Sequence, residues 1–155
     1  LLENFKKLQK RHEQFIRDFL KEQGLRALAK TKKLTPEDTG ELRNAWELSD
    51  VMRKGDELYI VLFNPKEYAS FVEEGHMQHR RFLPIKYLEE SPKSAKYVEW
   101  LKDYYGYDMG GVMLQEKWIP GVHMARISVT QIEKQIPARY EKALKQFMAG
   151  LGVGD

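Results

Sequence analysis

The chain has 155 residues, with 26 Lys and Arg, 23 Asp and Glu, and no Cys. At this length a folded chain buries roughly 68 to 70% of the surface that its unfolded form exposes, so one hydrophobic core is sufficient for stability. The absence of Cys excludes disulfides, thiol nucleophiles and Cys-based zinc sites. No apolar run is long enough for a transmembrane helix or a signal peptide, so neither membrane spanning nor secretion is expected.

The positive charge is concentrated near the start of the chain. Residues 1–33 hold 10 basic and 4 acidic side chains, a net charge of +6, whereas residues 34–155 hold 16 and 19, a net charge of −3. Such a segment could bind nucleic-acid phosphates, although a solvated helix face with mixed charges is the commoner explanation. The candidate phosphate-binding residues are Lys6, Lys7, Lys10, Arg11 and Arg17.

The first predicted element is a long amphipathic helix, because apolar residues recur at helical spacing on one stripe. They are Leu1, Phe5, Leu8, Phe15 and Phe19. Gly24 predicts a bend or fraying, with the helix running on to about Lys30 and a loop beginning at Thr31. A turn follows over residues 35–41, in which Asp38 and Glu41 have the spacing of a capping box.

Two short apolar segments then predict a β-hairpin. Alternating residues from Trp46 to Arg53 and the continuous run 58–63 flank the turn at Gly55. Because the second strand is apolar on both faces, we expect cover on both sides, with Val61 and Leu62 in the core.

The remainder of the chain predicts mainly helices. Asn64-Pro65 is typical of a helix start, and Gly75 of its end. A strand is expected near residues 81–85, a helix over 91–106, and a C-terminal helix over 123–149 that is kinked at Pro137 or divided into two. Together these elements predict an α+β fold with a long N-terminal helix, a small sheet based on the antiparallel hairpin, short middle helices and a long kinked C-terminal helix. Residues 1–149 are expected to form a single domain, and the glycine-rich residues 150–155 a flexible tail.

Residues 82–118 form an aromatic-rich excursion. They contain eight of the 18 aromatic residues of the chain. The segment is either an aromatic subcore or a contact surface, and the sequence leaves both possibilities open. The candidate interface residues are Phe82, Tyr97, Trp100, Tyr104, Tyr105, Tyr107 and Trp118.

Two patterns in the sequence contain residue types that occur in chemical sites. Asp38-Thr39-Gly40 is the tripeptide of aspartic proteases, but polar residues surround it where an apolar strand is required, which favours a capped turn. A metal site could combine Glu73, Glu74, His76 and His79 with distant His123, but without a His-Glu-x-x-His pattern solvated loop histidines are favoured. No catalytic, cofactor-binding or metal-binding residue is assigned, and a small hydrolase remains a third hypothesis.

Three motifs occur in a characteristic order: Thr35-Pro36-x-Asp38-Thr39-Gly40-x-Leu42-Arg43-x-x-Trp46, then Asn64-Pro65-x-x-Tyr68-Ala69-x-x-Val72-Glu73-x-Gly75-His76, and finally Pro120-Gly121-x-His123-Met124. This pattern resembles the head–tail joining, or tail-completion, proteins of tailed bacteriophages and prophages. The resemblance covers roughly residues 24–76 and 117–148, and residues 77–116 fall outside it.

The resemblance implies a virion protein of the phage neck or tail, made in the host cytoplasm, with no known catalysis and no cofactor. It implies assembly as a ring, typically a hexamer, in contact with the tail tube and the head connector. It assigns structural roles to the motif residues: Asp38, Thr39, Gly40, Leu42, Arg43 and Trp46 at the turn and first strand, Asn64, Pro65, Tyr68, Val72 and Gly75 at the short helix, and Pro120, Gly121 and His123 before the final helix. No membrane and no specific nucleic acid is expected as a partner, and a nucleic-acid-binding module is the alternative.

Overall fold

A computed structural model describes residues 2–36, 40–90, 92–105 and 110–152, with the backbone alone at 92, 93, 101, 104 and 105. The predicted α+β fold is confirmed. The helices are α1 (Leu2–Leu34), α2 (Glu41–Asn44), α3 (Ala69–Glu74), α4 (Ile85–Glu89), α5 (Pro92–Tyr105), α6 (Met124–Glu133) and α7 (Ile136–Ala149). The strands are β1 (Glu47–Leu48), β2 (Met52–Lys54), β3 (Glu57–Tyr59), β4 (Leu62–Phe63), β5 (Gly75–Gln78), β6 (Arg81–Pro84), β7 (Gly111–Leu114) and β8 (Lys117–Pro120).

The chain divides into two compact units. The first unit contains α1, strands β1–β4, α6 and α7, and the second contains α2, α3, strands β5–β8, α4 and α5. The first unit is assembled from three separate segments, because the chain leaves it after Lys33, returns at Trp46, leaves it again after Asn64 and returns at Met124. The single domain expected over residues 1–149 and the flexible tail after it stay predictions.

Helix α1 continues through Gly24 to Leu34, so the fraying predicted at Gly24 and the loop predicted at Thr31 are wrong. Gly24 is buried, and a Cβ atom there would lie 2.9 Å from Leu48 Cδ2 and 3.0 Å from Ile60 Cδ1. The glycine therefore allows the hairpin to approach the helix closely, and this packing offsets its low helix propensity.

Aromatic side chains join α1 to α7 in the first unit. The rings of Phe15 and Phe147 stack with centroids 4.6 Å apart, and Phe19 meets Tyr140 edge-on at 5.4 Å. The division of the last helix into two is confirmed, and α6 ends at Glu133. The ring of Pro137 would clash with the carbonyl four residues before it in a continuous helix, so the proline instead occupies the first turn of α7.

The predicted hairpin is present, with a bulge in its middle. Met52 pairs with Tyr59 near the turn, but Leu48 pairs with Leu62 at the open end, so the first strand holds one extra residue between the two ladders. Ser49 closes the gap, because its amide donates to the Val61 carbonyl at 2.8 Å and its hydroxyl accepts from the Val61 amide at 2.9 Å.

The two faces of the hairpin differ in their cover. Leu48 and Ile60 lie on the face that packs against Gly24 of α1. The opposite face, which we call the outer face, carries exposed apolar side chains, so the expectations that both faces are covered and that Val61 is in the core are wrong. Its members and exposed fractions are Met52 36%, Tyr59 39%, Val61 39% and Phe63 39%. Leu62 is half-buried.

The second unit is built around a long antiparallel ribbon. Strand β5 pairs with β8 and strand β6 with β7, and the register is continuous from Gly75 opposite Pro120 to Pro84 opposite Gly111. The strand near residue 81 was predicted, whereas β5, β7, β8 and α4 were not.

The helices of the second unit flank the ribbon in sequence. Helix α4 follows β6 directly, and Lys102 of α5 pairs with Glu89 of α4. Helix α5 confirms the predicted helix over 91–106. Helix α3 begins at Ala69, so Asn64-Pro65 does not cap it.

Candidate functional site

The structure brings the second and third motifs together, although many residues separate them in the sequence. The second motif ends at His76 and the third begins at Pro120. The amide of Val122 donates to the carbonyl of Val72 at 2.8 Å, and the amide of His123 donates to the carbonyl of Glu73 at 3.0 Å. These bonds fasten the end of α3 to the segment that follows β8.

Two glycines of the motifs make this close approach possible. A Cβ atom on Gly121 would lie 2.3 Å from the Glu73 carbonyl oxygen, and one on Gly75 would lie 2.6 Å from that of Ile119. Gly75 also has φ +88°, a conformation that side chains rarely adopt. We call this meeting of residues 72–75 with 120–123 the α3–β8 junction.

The α3–β8 junction also collects titratable groups. Potential ligand atoms of Glu73, Glu74 and His123 all lie within 4.8 Å of one another. His123 has φ +54°, and its Nδ1 is buried without a hydrogen-bond partner among the described residues. Two carboxylates and an imidazole are groups that could hold a cation between them. Because backbone hydrogen bonds already explain the approach of these segments, the cluster alone does not define a metal site.

The other two histidines of the metal hypothesis lie outside this cluster. The ring of His76 is 5.7 Å from that of Phe71, in an edge-on arrangement, and its Nδ1 is buried without a partner in the part of the chain that the structure describes. His79 is exposed between β5 and β6. The structure therefore brings together Glu73, Glu74 and His123, a combination that the spacing in the sequence does not indicate.

The first motif surrounds α2. Gly40 precedes this helix with φ +81°, while Leu42 and Trp46 are buried, with exposed fractions of 8% and 5%. Arg43 is half-buried. Asp38 and Thr39 lie outside the described residues, and so does the predicted capping box.

The second motif leads from β4 into α3. Asn64 is half-buried and Pro65 is exposed. Tyr68 directly precedes α3 and is 41% exposed, whereas the next residue, Ala69, is buried. The structural role expected for these motif residues stays a prediction.

Candidate interface residues of the aromatic excursion are half exposed. The exposed fractions are Phe82 54%, Tyr97 52%, Trp100 51% and Trp118 56%. The rings of Tyr97 and Trp100 stack on α5 with centroids 5.8 Å apart. Tyr107 and the side chains of Tyr104 and Tyr105 lie outside the described residues. The exposure favours a contact surface over a subcore at the four described side chains.

Residues 1–75 match the family model described as "Bacteriophage HK97-gp10, putative tail-component". The match indicates a phage tail component. It confirms the predicted resemblance over those residues. No curated protein and no solved structure matches the chain.

The five candidate phosphate-binding side chains all lie on α1. Lys6, Lys7, Lys10 and Arg11 are exposed, as the phosphate-binding alternative requires. Arg17 instead binds Glu13 through Nη2 at 3.0 Å and donates from Nη1 to the Val51 carbonyl at 3.2 Å. One of the five candidate residues is therefore occupied in holding α1 to the hairpin.

A small charged network surrounds Glu13. Its carboxylate accepts from Arg17 and lies 3.0 Å from Arg53 on β2. The hydrogen bond from Arg17, followed by that from Arg53, lowers the pKa of Glu13 below its ordinary value of 4.5. The helical spacing of Glu13 and Arg17 could have indicated their pairing, but only the tertiary structure adds Arg53.

Two grooves of the first unit lie away from the α3–β8 junction. A groove of about 550 Å³ runs between α1 and α7, and one of about 420 Å³ lies beside β3 and β4. The second is lined mainly by apolar side chains, with Gln23 and Glu133 as polar members. Within the described part of the chain, no helix combines the length and apolar character needed to cross a membrane.

Proposed function

We propose that the chain is a structural component of the phage neck or tail, which assembles as a ring and joins the tail tube to the head connector. The family match over residues 1–75 supports the class of protein. The observation that carries the proposal of assembly is the exposure of Phe82, Tyr97, Trp100 and Trp118, each above half. Tyr, Trp and Phe are enriched at protein interfaces, where such side chains lose their contact with water.

The ribbon of the second unit also supports a contact with a partner. Its strands run from Gly75 to Pro84 and from Gly111 to Pro120, a length of about 34 Å at the usual rise per residue. Helices α3 and α4 contact the ribbon, and its exposed apolar groups are typical of interaction surfaces. We therefore assign the ribbon and α5 to contacts with a neighbouring subunit or another virion protein.

The hairpin of the first unit supports the same proposal. Each of its strands pairs with one other strand within the described residues, so the edges can accept a further strand. We propose that a hairpin edge pairs across subunits, which would add backbone hydrogen bonds to the apolar contacts. The motif residues then act through the fold, with the α3–β8 junction holding the base of the ribbon.

Light scattering across a concentration series tests the assembly. We expect a defined multiple of the 18.3 kDa chain mass at high concentration, with a hexamer as the specific proposal. The double variant Tyr97→Ala, Trp100→Ala should weaken assembly by about tenfold or more if the aromatic pair is a central contact. Leu25→Ala is the matched control, because Leu25 is 50% exposed but belongs to α1 and not to α5 or the ribbon.

A monomer at every concentration, with and without purified tail-tube and connector proteins, would contradict the proposal. An equal loss of assembly in Leu25→Ala would show that the effect is not specific to the aromatic pair. Circular dichroism of each variant verifies that the helices remain folded.

A further inference from the structure

We infer that the first turns of α1 in one copy pack on the outer face of the hairpin in the next copy. This inference rests on the proposed ring and names one contact that would build it. It joins two apolar surfaces of the first unit that remain exposed in a single chain.

The first surface is the stripe at the start of α1. Leu2, Phe5 and Leu8 are 78%, 72% and 45% exposed. Further along the helix, Phe15 packs against Phe147 of α7 and Phe19 against Tyr140. The exposed residues therefore extend an established helix–helix contact beyond its end, and we call them the α1 stripe.

The second surface is the outer face of the hairpin. Met52, Tyr59, Val61 and Phe63 alternate along the strands with side chains that face α1, and each is 36–39% exposed. Four neighbouring apolar side chains on one sheet face normally pack against another layer of structure. The opposite face of this hairpin already packs against a helix at Gly24, so a second helix is a suitable partner for the outer face.

The α1 stripe cannot cover the outer face of its own hairpin. Helix α1 is continuous from Leu2 to Leu34. Phe5 lies about 28 Å along it from Gly24, where the hairpin face that carries Leu48 and Ile60 packs. The outer face points away from that contact, because successive side chains of a strand alternate between faces. An α1 stripe that packs on the outer face would therefore belong to another chain.

The net charges of the two surfaces favour packing of the α1 stripe of a second copy on the outer face. Residues 2–12 carry four basic side chains against the single acidic Glu3. The register places Glu47 beside Phe63 on the outer face, and Glu57 beside Lys54, so the charged side chains of this face sum to a negative value. Two α1 stripes packed on each other would bring like charges together, whereas the stripe and the outer face have opposite charges.

The contact is head-to-tail, because the two surfaces are different parts of the chain. Contacts of this type form closed rings when the rotation between neighbours closes on itself. Each copy would donate one α1 stripe and accept another, so that every stripe and every outer face is covered in a complete ring.

Cysteine cross-linking tests the contact, since the sequence has no Cys. Phe5→Cys and Val61→Cys are made in separate chains, mixed, and oxidised mildly. We expect disulfide-linked dimers in the mixture and few in either variant alone, because the contact joins different surfaces. A mixture of Phe5→Cys with Leu25→Cys is the control, because Leu25 is accessible but lies on neither surface.

Light scattering on the same samples separates this inference from the ring proposal. Oligomers without a Phe5→Cys to Val61→Cys cross-link would overturn the contact while leaving the ring intact. Cross-linking of Phe5→Cys to itself would also overturn it, because the stripes would then meet each other. Monomers at all concentrations would overturn both proposals.

Discussion

Gly121 illustrates how a single residue can set the distance between two segments. The position of a Cβ atom on this residue is already occupied by backbone atoms of Glu73, Glu74 and Gly75, at 2.3 to 2.7 Å. Backbone cannot move aside as the end of a flexible side chain can. The lack of a side chain at Gly121 therefore permits the hydrogen bonds from Val122 and His123 that close the α3–β8 junction.

We expect Gly121→Ala to lower the free energy of unfolding by roughly 2–3 kcal/mol, because the methyl group forces backbone segments apart. Gly110→Ala is the control, since the nearest atom to its Cβ position is Phe82 Cζ at 3.8 Å, and its effect should stay within about 0.5 kcal/mol. Urea unfolding measures both changes. Equal stability of the two variants would contradict the steric role of Gly121.

At the bulge, the side chain of Ser49 takes the place of a backbone carbonyl as the acceptor for the Val61 amide. The hydroxyl accepts from the Val61 amide at the bulge and donates to the Asp50 carbonyl at 2.8 Å. We expect Ser49→Ala to cost about 1 kcal/mol, the usual net value of one hydrogen bond. Ser70→Ala is the control, because it removes only a long 3.4 Å hydrogen bond from an exposed helix position. Thermal unfolding of both variants should show a smaller loss of stability for Ser70→Ala. A smaller loss for Ser49→Ala than for Ser70→Ala would show that the bulge does not need the hydroxyl.

At the scale of elements, charged side chains and glycines fix how helices and strands meet. The network of Glu13, Arg17 and Arg53 joins α1 to the hairpin, and Arg17 also binds the Val51 carbonyl that the bulge leaves outside the ladder. This network supplements the close packing at Gly24.

The lowered pKa of Glu13 predicts a pH dependence of stability. A carboxyl whose pKa is lower in the folded state stabilises the fold above its unfolded value, near 4.5, and this contribution is lost as pH falls through the folded value. We expect Glu13→Gln to lower the melting temperature modestly at pH 7 and to have a smaller effect near pH 3. Glu3→Gln is the control on the same helix. An equal deficit of Glu13→Gln at both pH values would contradict the linkage.

At each end of the ribbon, an aromatic ring packs against a glycine of the opposite strand. Trp118 Cζ2 lies 2.8 Å from the Cβ position of Gly75, and Phe82 Cζ lies 2.6 Å from that of Gly111. Each ring therefore covers a glycine of the opposite strand on the same face. This packing holds two half-exposed aromatic side chains in place, which reduces the entropy that a partner would have to remove on binding.

At the scale of the whole molecule, salt distinguishes assembly from nucleic-acid binding. Apolar contacts persist in moderate salt, so we expect the mass from light scattering to stay constant between about 50 and 200 mM salt. DNA bound through four phosphates would weaken by roughly a hundredfold over the same range. Anisotropy of a labelled duplex gives the second measurement. Tight, salt-sensitive DNA binding together with a monomeric chain would favour the nucleic-acid alternative.

The sequence by itself determined the elements whose signal is local. Periodic apolar residues predicted α1, the hairpin, α5 and the last two helices, and Pro137 predicted the division of the last helix, since its ring acts on a carbonyl four residues away. The order of the motifs predicted the resemblance to phage tail components.

Only the tertiary structure decided the features that depend on distant partners. It kept α1 helical through Gly24, where fraying was expected, because the hairpin packs there. It left Val61 exposed, because α1 covers the other face of its strand. It paired β5 with β8 and brought His123 to Glu73, since backbone hydrogen bonds between distant segments leave no periodic signal in the chain. Local propensity reports on neighbours in sequence, whereas these contacts arise when the whole chain packs.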